Sequence, residues 1–366
     1  MRLGVGAALV RGELVAGDIN VEDGRVTEVG LSGGSPGLIA IPGLVDIQNN
    51  GYGGVDFISA SSEDYRTAGE ALLLTGVTAY QPTFITAPEA ATIEALRALP
   101  TTGVGPRLIG AHLEGPFLSP ERPGMHPVEH LRAPDIALLD RLLDAGHVTE
   151  MTLAPELPGA DRLITRLRER GVTVSAGHTN ATAEQADRGF DLGIAGLTHI
   201  FNAMRPLRSR DPGIAGAALT RPDVIVKMIV DGHHLAGETV QVVWACATAR
   251  VALITDAMAG AGAGGGTFRL GDVAVEVEEG AVPMLENGTI AGSVLTMIDA
   301  VRNLHHLGVP FEQAVCAATE VPARLLGLDD VGVLEPGGAA DIVVLDDRLE
   351  IQNVLCMGTN EVVARD

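Results

Sequence analysis

Five acidic or imidazole side chains, Glu114, His178, His199, Asp231 and Asp256, each close a different short apolar run of the sequence. Polar groups at the carboxyl ends of successive buried strands are where α/β barrels build their chemistry. Glu114, His178 and His199 offer one carboxylate oxygen and two imidazole nitrogens, a donor set suited to Zn²⁺ or another borderline divalent ion that keeps an open position for water. Any one of them alone reads as a hydrogen-bonded rim residue. Their joint placement points to a metal. Asp256, in "LITDAMAG", then stands where a general base for a metal-activated water belongs, although an Asp there can equally cap the following segment.

The loops add further candidates. "HLEGPFLSPERPGMHP" carries His126 on a Pro/Gly-rich stretch, where an imidazole can polarise a carbonyl. "FNAMRPLRSRDPG" clusters Arg205, Arg208 and Arg210, and "VDGHHL" brings His233 and His234 to the neighbouring strand end. Together they could hold a phosphate, or the arginines could pair with surface carboxylates. His305 and His306 lie in a helical pattern and read as helix-end residues. "GLVDIQNNG" ends an apolar run on two amides, Gln48 and Asn50. Two apart in a strand, they share a face, in a place where a metal hydrolase would be expected to carry imidazoles.

Eight apolar runs alternate with helical periodicity: 44–50, 77–83, 107–114, 148–156, 172–178, 194–199, 224–231 and 251–256. Segments 135–146 and 160–171 repeat apolar residues at three- and four-residue spacing and read as helices between them. This predicts a (β/α)8 barrel over 42–335. A doubly wound sheet is the alternative, but no G-x-G-x-x-G turn follows the first run. Both ends have β texture without helices, including a D-G hairpin signal at Asp23 and Gly24. Residues 1–41 and 336–366 are therefore expected to pair into one small β-sandwich domain. The 366 residues carry a net charge of −22, which disfavours nucleic acid and anionic membrane surfaces as partners. Lys227 is the only lysine, so any anion site must be built from guanidinium and imidazole. Cys246, Cys316 and Cys356, without a C-x-x-C, fit a reducing cytoplasm. No stretch is apolar enough to span a bilayer.

The motifs "PGLVDIQNNGYGG", "HLEGPFLSPERPGMHP", "VSAGHTNAT", "THIFNAM", "VDGHHL", "ITDAMAGAG" and "AGSVLTMIDAVRNL", in this order, resemble the N-acetylglucosamine-6-phosphate deacetylases of the amidohydrolase superfamily. The resemblance covers essentially the whole chain. It implies an amidohydrolase-type barrel and hydrolysis of N-acetyl-D-glucosamine 6-phosphate to glucosamine 6-phosphate and acetate. The same resemblance implies Glu114, His178 and His199 as metal ligands, Asp256 as catalytic acid/base and His126 as the carbonyl-polarising group. Met125, His126, Asn202, Ala203, Ile290, Ala291 and Gly292 match substrate-contacting positions, before a helix expected to start near Ser293. Arg210 and His234 match phosphate-holding ones, in a homodimer whose partner subunit can lend such residues. Gln48 and Asn50 replace the His-x-His of two-metal relatives. Amides are poor ligands for Zn²⁺, and no lysine stands at a strand end to bridge two ions. The expectation is one divalent ion per chain, zinc first, with Fe²⁺, Mn²⁺ or Co²⁺ as alternatives. The rival readings are an N-acetylgalactosamine-6-phosphate deacetylase, an enzyme for another N-acyl amide, and a non-catalytic scaffold.

Overall fold

The computed structural model describes residues 1–101, 105–278, 281–285, 288–356 and the backbone of a last strand, Glu361–Ala364. All eight predicted runs become strands of one parallel barrel: β1 Leu44–Asn49, β2 Val77–Ile85, β3 in two pieces (Arg107–Leu108 and Ala111–Glu114), β4 Val148–Leu153, β5 Thr173–Ala176, β6 Gly196–Leu197, β7 Ile225–Met228 and β8 Val251–Leu253. Each pairs in parallel with the next. The ring closes at the carboxyl end of the strands, where the Asp256 N–H donates to the Gln48 carbonyl (2.9 Å) and the Asn50 N–H to that of Ala257 (2.8 Å). Below those bonds the Thr255 hydroxyl donates to Asp46 (2.6 Å), whose complete burial pushes its carboxyl up to about 6.

One helix follows each strand: α1 Ser62–Leu73, α2 Glu89–Ala98, α3 Ile136–Ala145, α4 Ala160–Glu169, α5 Ala183–Leu192, α6 Gly213–Thr220, α7 Gly237–Ala247 and α8 Met297–His306. The apolar spacing read in the sequence is the buried face. In α3, Leu138, Leu139, Leu142 and Leu143 are buried and Asp135 caps the start, accepting from the Ala137 and Leu138 N–H groups. α8 begins at Met297 rather than near Ser293. Ser293 is held extended by exchange with the backbone of Asp256 and Met258, and Thr296 caps the helix by accepting from Asp299.

The barrel interior is polar on its inward, alternate positions. Lys227 of β7 and Glu150 of β4 are both fully buried and 2.8 Å apart. The Ser175 hydroxyl and, in the orientation that satisfies both its amide atoms, the Gln81 amide also donate to Glu150. Burial alone would push the Glu150 carboxyl up, but the Lys227 charge, the nearby His112 and the bonds from Lys227 and Ser175 together outweigh it and hold it below the ordinary range. His112 bridges the hydroxyls of Thr83 (3.1 Å) and Thr152 (2.7 Å), and burial pushes its imidazole down to about 4. The lone lysine is thus committed beneath the site and stands apart from the strand ends.

The chain ends meet as expected. A six-stranded sheet runs in the order Glu13–Ala16, Val5–Val10, Ser35–Pro42, Ile342–Leu345, Ile351–Cys356, Glu361–Ala364. A hairpin, Asp18–Glu22 with Arg25–Leu31, contributes Ile19, Val21 and Val26 to a core shared with Val5, Ile342 and Leu355 of the sheet. Its turn takes positive φ at Asp23 (47°) and Gly24 (74°), the geometry the D-G pair favours. A second hairpin, Gly266–Leu270 with Val273–Val277, was not legible in the sequence. Its Leu270, Val275 and Val277 pack on Ile85, Met258 and Ala291, and its Gly271 N–H donates to Asp56 at 2.8 Å.

Candidate active site

The chemistry-bearing residues leave their strands in an uncommon backbone conformation. His178, His199 and Asp256 have φ of 47°, 29° and 49°, and Ala203 follows at 48°. Non-glycine residues are held there only where surrounding structure demands it, a pattern concentrated at functional sites. Each turn comes directly after the last ladder bonds of its strand and brings the side chain over the barrel mouth.

Three Lewis-basic atoms converge there. Glu114 Oε1 lies 3.0 Å from His178 Nε2 and 2.9 Å from His199 Nε2, and the two imidazole nitrogens are 3.1 Å apart. All three side chains are buried. The Nδ1–H of His178 donates to the Arg122 carbonyl (3.2 Å), so in the neutral ring Nε2 keeps a lone pair for a metal beside the Glu114 carboxylate. A carboxylate oxygen and two ring nitrogens this close need positive charge among them, a divalent ion or protons on the rings, and a carbonyl bond to the far ring nitrogen is how metal-binding imidazoles are oriented. Burial would raise the Glu114 carboxyl, but the two imidazoles hold it well below the usual range. Loop 115–127 closes over His178 at Gly124 (φ 58°), where a Cβ would sit 2.9 Å from the imidazole carbon.

Asp256 lies between the amides of the opening strand. Asn50 Nδ2 donates to its Oδ1 at 2.8 Å and Gln48 Nε2 to the same oxygen at 3.3 Å. The residues that stand in place of two imidazoles therefore hold the carboxylate opposite them. Their own carbonyl oxygens, Gln48 Oε1 and Asn50 Oδ1, are buried without a partner among the described residues.

His126 is buried with its ring centroid 4.3 Å from that of His178. The Thr86 backbone N–H donates to its Nδ1 (3.2 Å). A backbone N–H can only donate, so Nδ1 carries the lone pair and Nε2 the proton. Thr86 also donates its hydroxyl to the Glu114 carbonyl (3.1 Å). The sequence reading missed Thr86, though it is a polar residue closing an apolar strand like the others.

A cavity of about 340 Å³ joins these groups. Asn50, Glu114, Met125, His126, His178, His199, Asn202, Ala203, His234, Asp256, Ile290 and Gly292 line it, with Ile85, Leu270 and Thr289, which the sequence did not single out. Gln48 and Ala291 are fully buried behind that wall. Arg210 is exposed on its loop and is not among the lining residues, and Arg208 is exposed beside it. Arg205 takes the carboxylate alternative, donating to both oxygens of Asp211 at 2.9 Å.

A profile of the amidohydrolase family matches residues 39–362. The chain belongs to the amidohydrolase family. Amidohydrolases are metal-dependent, and Glu114, His178 and His199 form a metal-competent group in this one. An N-acetylglucosamine-6-phosphate deacetylase of Vibrio furnissii is 36% identical, the match covering 87% of this amidohydrolase and 82% of the relative. An N-acetylgalactosamine-6-phosphate deacetylase of Escherichia coli O157:H7 is also 36% identical, with 87% and 86% covered. Among solved structures, a mutant N-acetyl-D-glucosamine-6-phosphate deacetylase of Mycobacterium smegmatis in complex with N-acetyl-D-glucosamine-6-phosphate superposes with a TM-score of 0.92. It shares 35% identity over 100% of this chain and 99% of that one. No helix among the described residues is long and apolar enough to cross a membrane.

Proposed function

We propose that the chain hydrolyses the acetamide of N-acetyl-D-glucosamine 6-phosphate to D-glucosamine 6-phosphate and acetate. The observation that carries this is one cavity lined by a metal-competent triad, a carboxylate fixed through one oxygen, and an imidazole fixed as an Nε2–H donor. Similarity to deacetylases of both epimers supports the substrate class, and the likeness to a structure bound to the gluco sugar favours that epimer. The galacto 6-phosphate is the second reading.

A divalent ion held by Glu114, His178 and His199 would supply Lewis-acid polarisation and make the attacking water acidic enough to lose a proton near neutral pH. Zinc suits the carboxylate and imidazole set best, with Fe²⁺, Mn²⁺ and Co²⁺ as alternatives. Asp256 accepts the proton of the attacking water at Oδ2, the oxygen its amide neighbours leave alone. The water oxygen bonds to the carbonyl carbon, and His126 donates from Nε2 to the carbonyl oxygen as its charge develops. As the C–N bond breaks, Asp256 returns the proton to the departing amine. His234 and Arg210 anchor the phosphate, so that remote binding energy aligns the reacting carbon. The exposed position of Arg210 is compatible with service to a partner's site in a homodimer. We assign the chemistry to residues 42–335 of a cytoplasmic enzyme, with 1–41 and 336–366 as the supporting β domain.

Acetate release from N-acetylglucosamine, N-acetylgalactosamine and their 6-phosphates tests the reading. The gluco 6-phosphate is expected to exceed its unphosphorylated form in kcat/KM by at least about 100-fold, roughly 2.7 kcal/mol of recognition. Equal values with and without phosphate would overturn it, and a preference for the galacto 6-phosphate would select the second reading.

A further inference from the structure

Beyond β7 the chain folds around one carboxylate. Asp231 Oδ1 accepts the backbone N–H groups of His233 and His234, both at 2.8 Å, and Oδ2 lies 2.7 Å from His234 Nδ1. The two side chains are 7% and 5% exposed. Burial opposes ionisation of Asp231, but the bond and charge of His234 together with the two backbone N–H bonds outweigh it and hold the carboxyl at about 2. An ionised carboxylate only accepts, so His234 Nδ1 carries a proton and Nε2 is the polar ring atom left for the cavity that His234 lines. This is the reverse of His126, whose Nδ1 is made an acceptor by Thr86.

A neutral His234 in this setting would present a lone pair at Nε2 to an incoming phosphate oxygen. The doubly protonated ring presents an N–H instead, with its charge balanced by the carboxylate behind it. We propose that Asp231 is a positioning residue that, as counter-ion on Nδ1, sets His234 as a charged Nε2–H donor to the substrate phosphate. The inference rests on the phosphosugar reading above.

Asp231→Asn isolates the role. The Asn carbonyl can still accept both backbone N–H groups, while its NH₂ replaces the acceptor facing Nδ1. The variant is expected to raise KM for N-acetylglucosamine 6-phosphate by about tenfold or more, with kcat within about threefold. Its kcat/KM on unphosphorylated N-acetylglucosamine should fall by less than about threefold, and in a His234→Gln background Asp231→Asn should add less than about twofold to KM. Equal losses on both sugars, or a full additional loss in the His234→Gln background, would overturn the proposal. The wild-type protein offers a check that needs no Asp231 variant. Nitrogen-15 spectra of the complex with glucosamine 6-phosphate, assigned by His234→Gln, should show both ring nitrogens of His234 protonated. An unprotonated Nε2 would contradict the role. A wild-type enzyme indifferent to phosphate would instead overturn the substrate reading itself, which separates the two failures.

Discussion

Asn50 and Gln48 each direct one amide N–H at the same oxygen of Asp256. A carboxylate held this way keeps its ring of donors on Oδ1 and presents Oδ2 as the proton-accepting atom. Asn50 makes the shorter bond, 2.8 Å against 3.3 Å, so Asn50→Ala should free the carboxylate to rotate. We predict a fall in kcat of roughly 10- to 100-fold, with metal content unchanged, because misorientation of a general base forfeits most of its advantage. An Asn50→Ala enzyme with wild-type kcat and full metal content would refute the positioning role. That two amides occupy the expected imidazole positions was readable in "DIQNNG". Their partner was not, since Asn50 and Asp256 lie 206 residues apart and meet only when β1 closes against the chain beyond β8. Thr86 escaped for a related reason: it closes its strand like the other site residues, but its partners His126 and the Glu114 carbonyl come from elsewhere in the chain, and the N–H it gives His126 is a backbone group.

At the scale of elements, the strand ends position the site and the layer beneath them sets what the strands can tolerate. The buried Lys227–Glu150 pair links β7 to β4 directly under that layer. Lys227→Met leaves an uncompensated carboxylate in the barrel and should cost about 3–5 kcal/mol, while Lys227→Met with Glu150→Leu should recover most of that loss. Urea unfolding of the wild-type, single and double variants measures the difference. A double variant less stable than the single one would show that the pair is not the dominant partner of either charge. The barrel strands were legible because buried parallel strands read as short apolar runs bounded by turn residues. The helices α3 and α4 were legible from the spacing of their apolar residues. The hairpin formed by Gly266–Leu270 and Val273–Val277 was not, because its glycine-rich approach reads as loop and its apolar residues are buried by Ile85 and Met258 from distant strands.

For the molecule as a whole, an acidic exterior surrounds a small cavity in which imidazoles and amides do the positioning. The net charge of −22 gives no general attraction to an anionic sugar phosphate, so recognition must be local. The barrel supplies the reacting groups, and the sheet built from both chain ends ties the start of β1 to the strand Ile342–Leu345 through Ser35–Pro42. That pairing was foreseeable from β texture at both ends of the sequence, whereas the outward position of Arg210 was not, because motif order carries no information on which side of a loop faces the cavity. The central claim is that one metal and one carboxylate carry the hydrolysis. Its most direct test is acetate release from N-acetylglucosamine 6-phosphate by wild type and Asp256→Asn, with bound metal counted in both. The account predicts one equivalent of metal per chain in each, and turnover at least about 1,000-fold lower in the variant. Turnover retained by Asp256→Asn with its metal in place, or two tightly bound ions per chain, would contradict it.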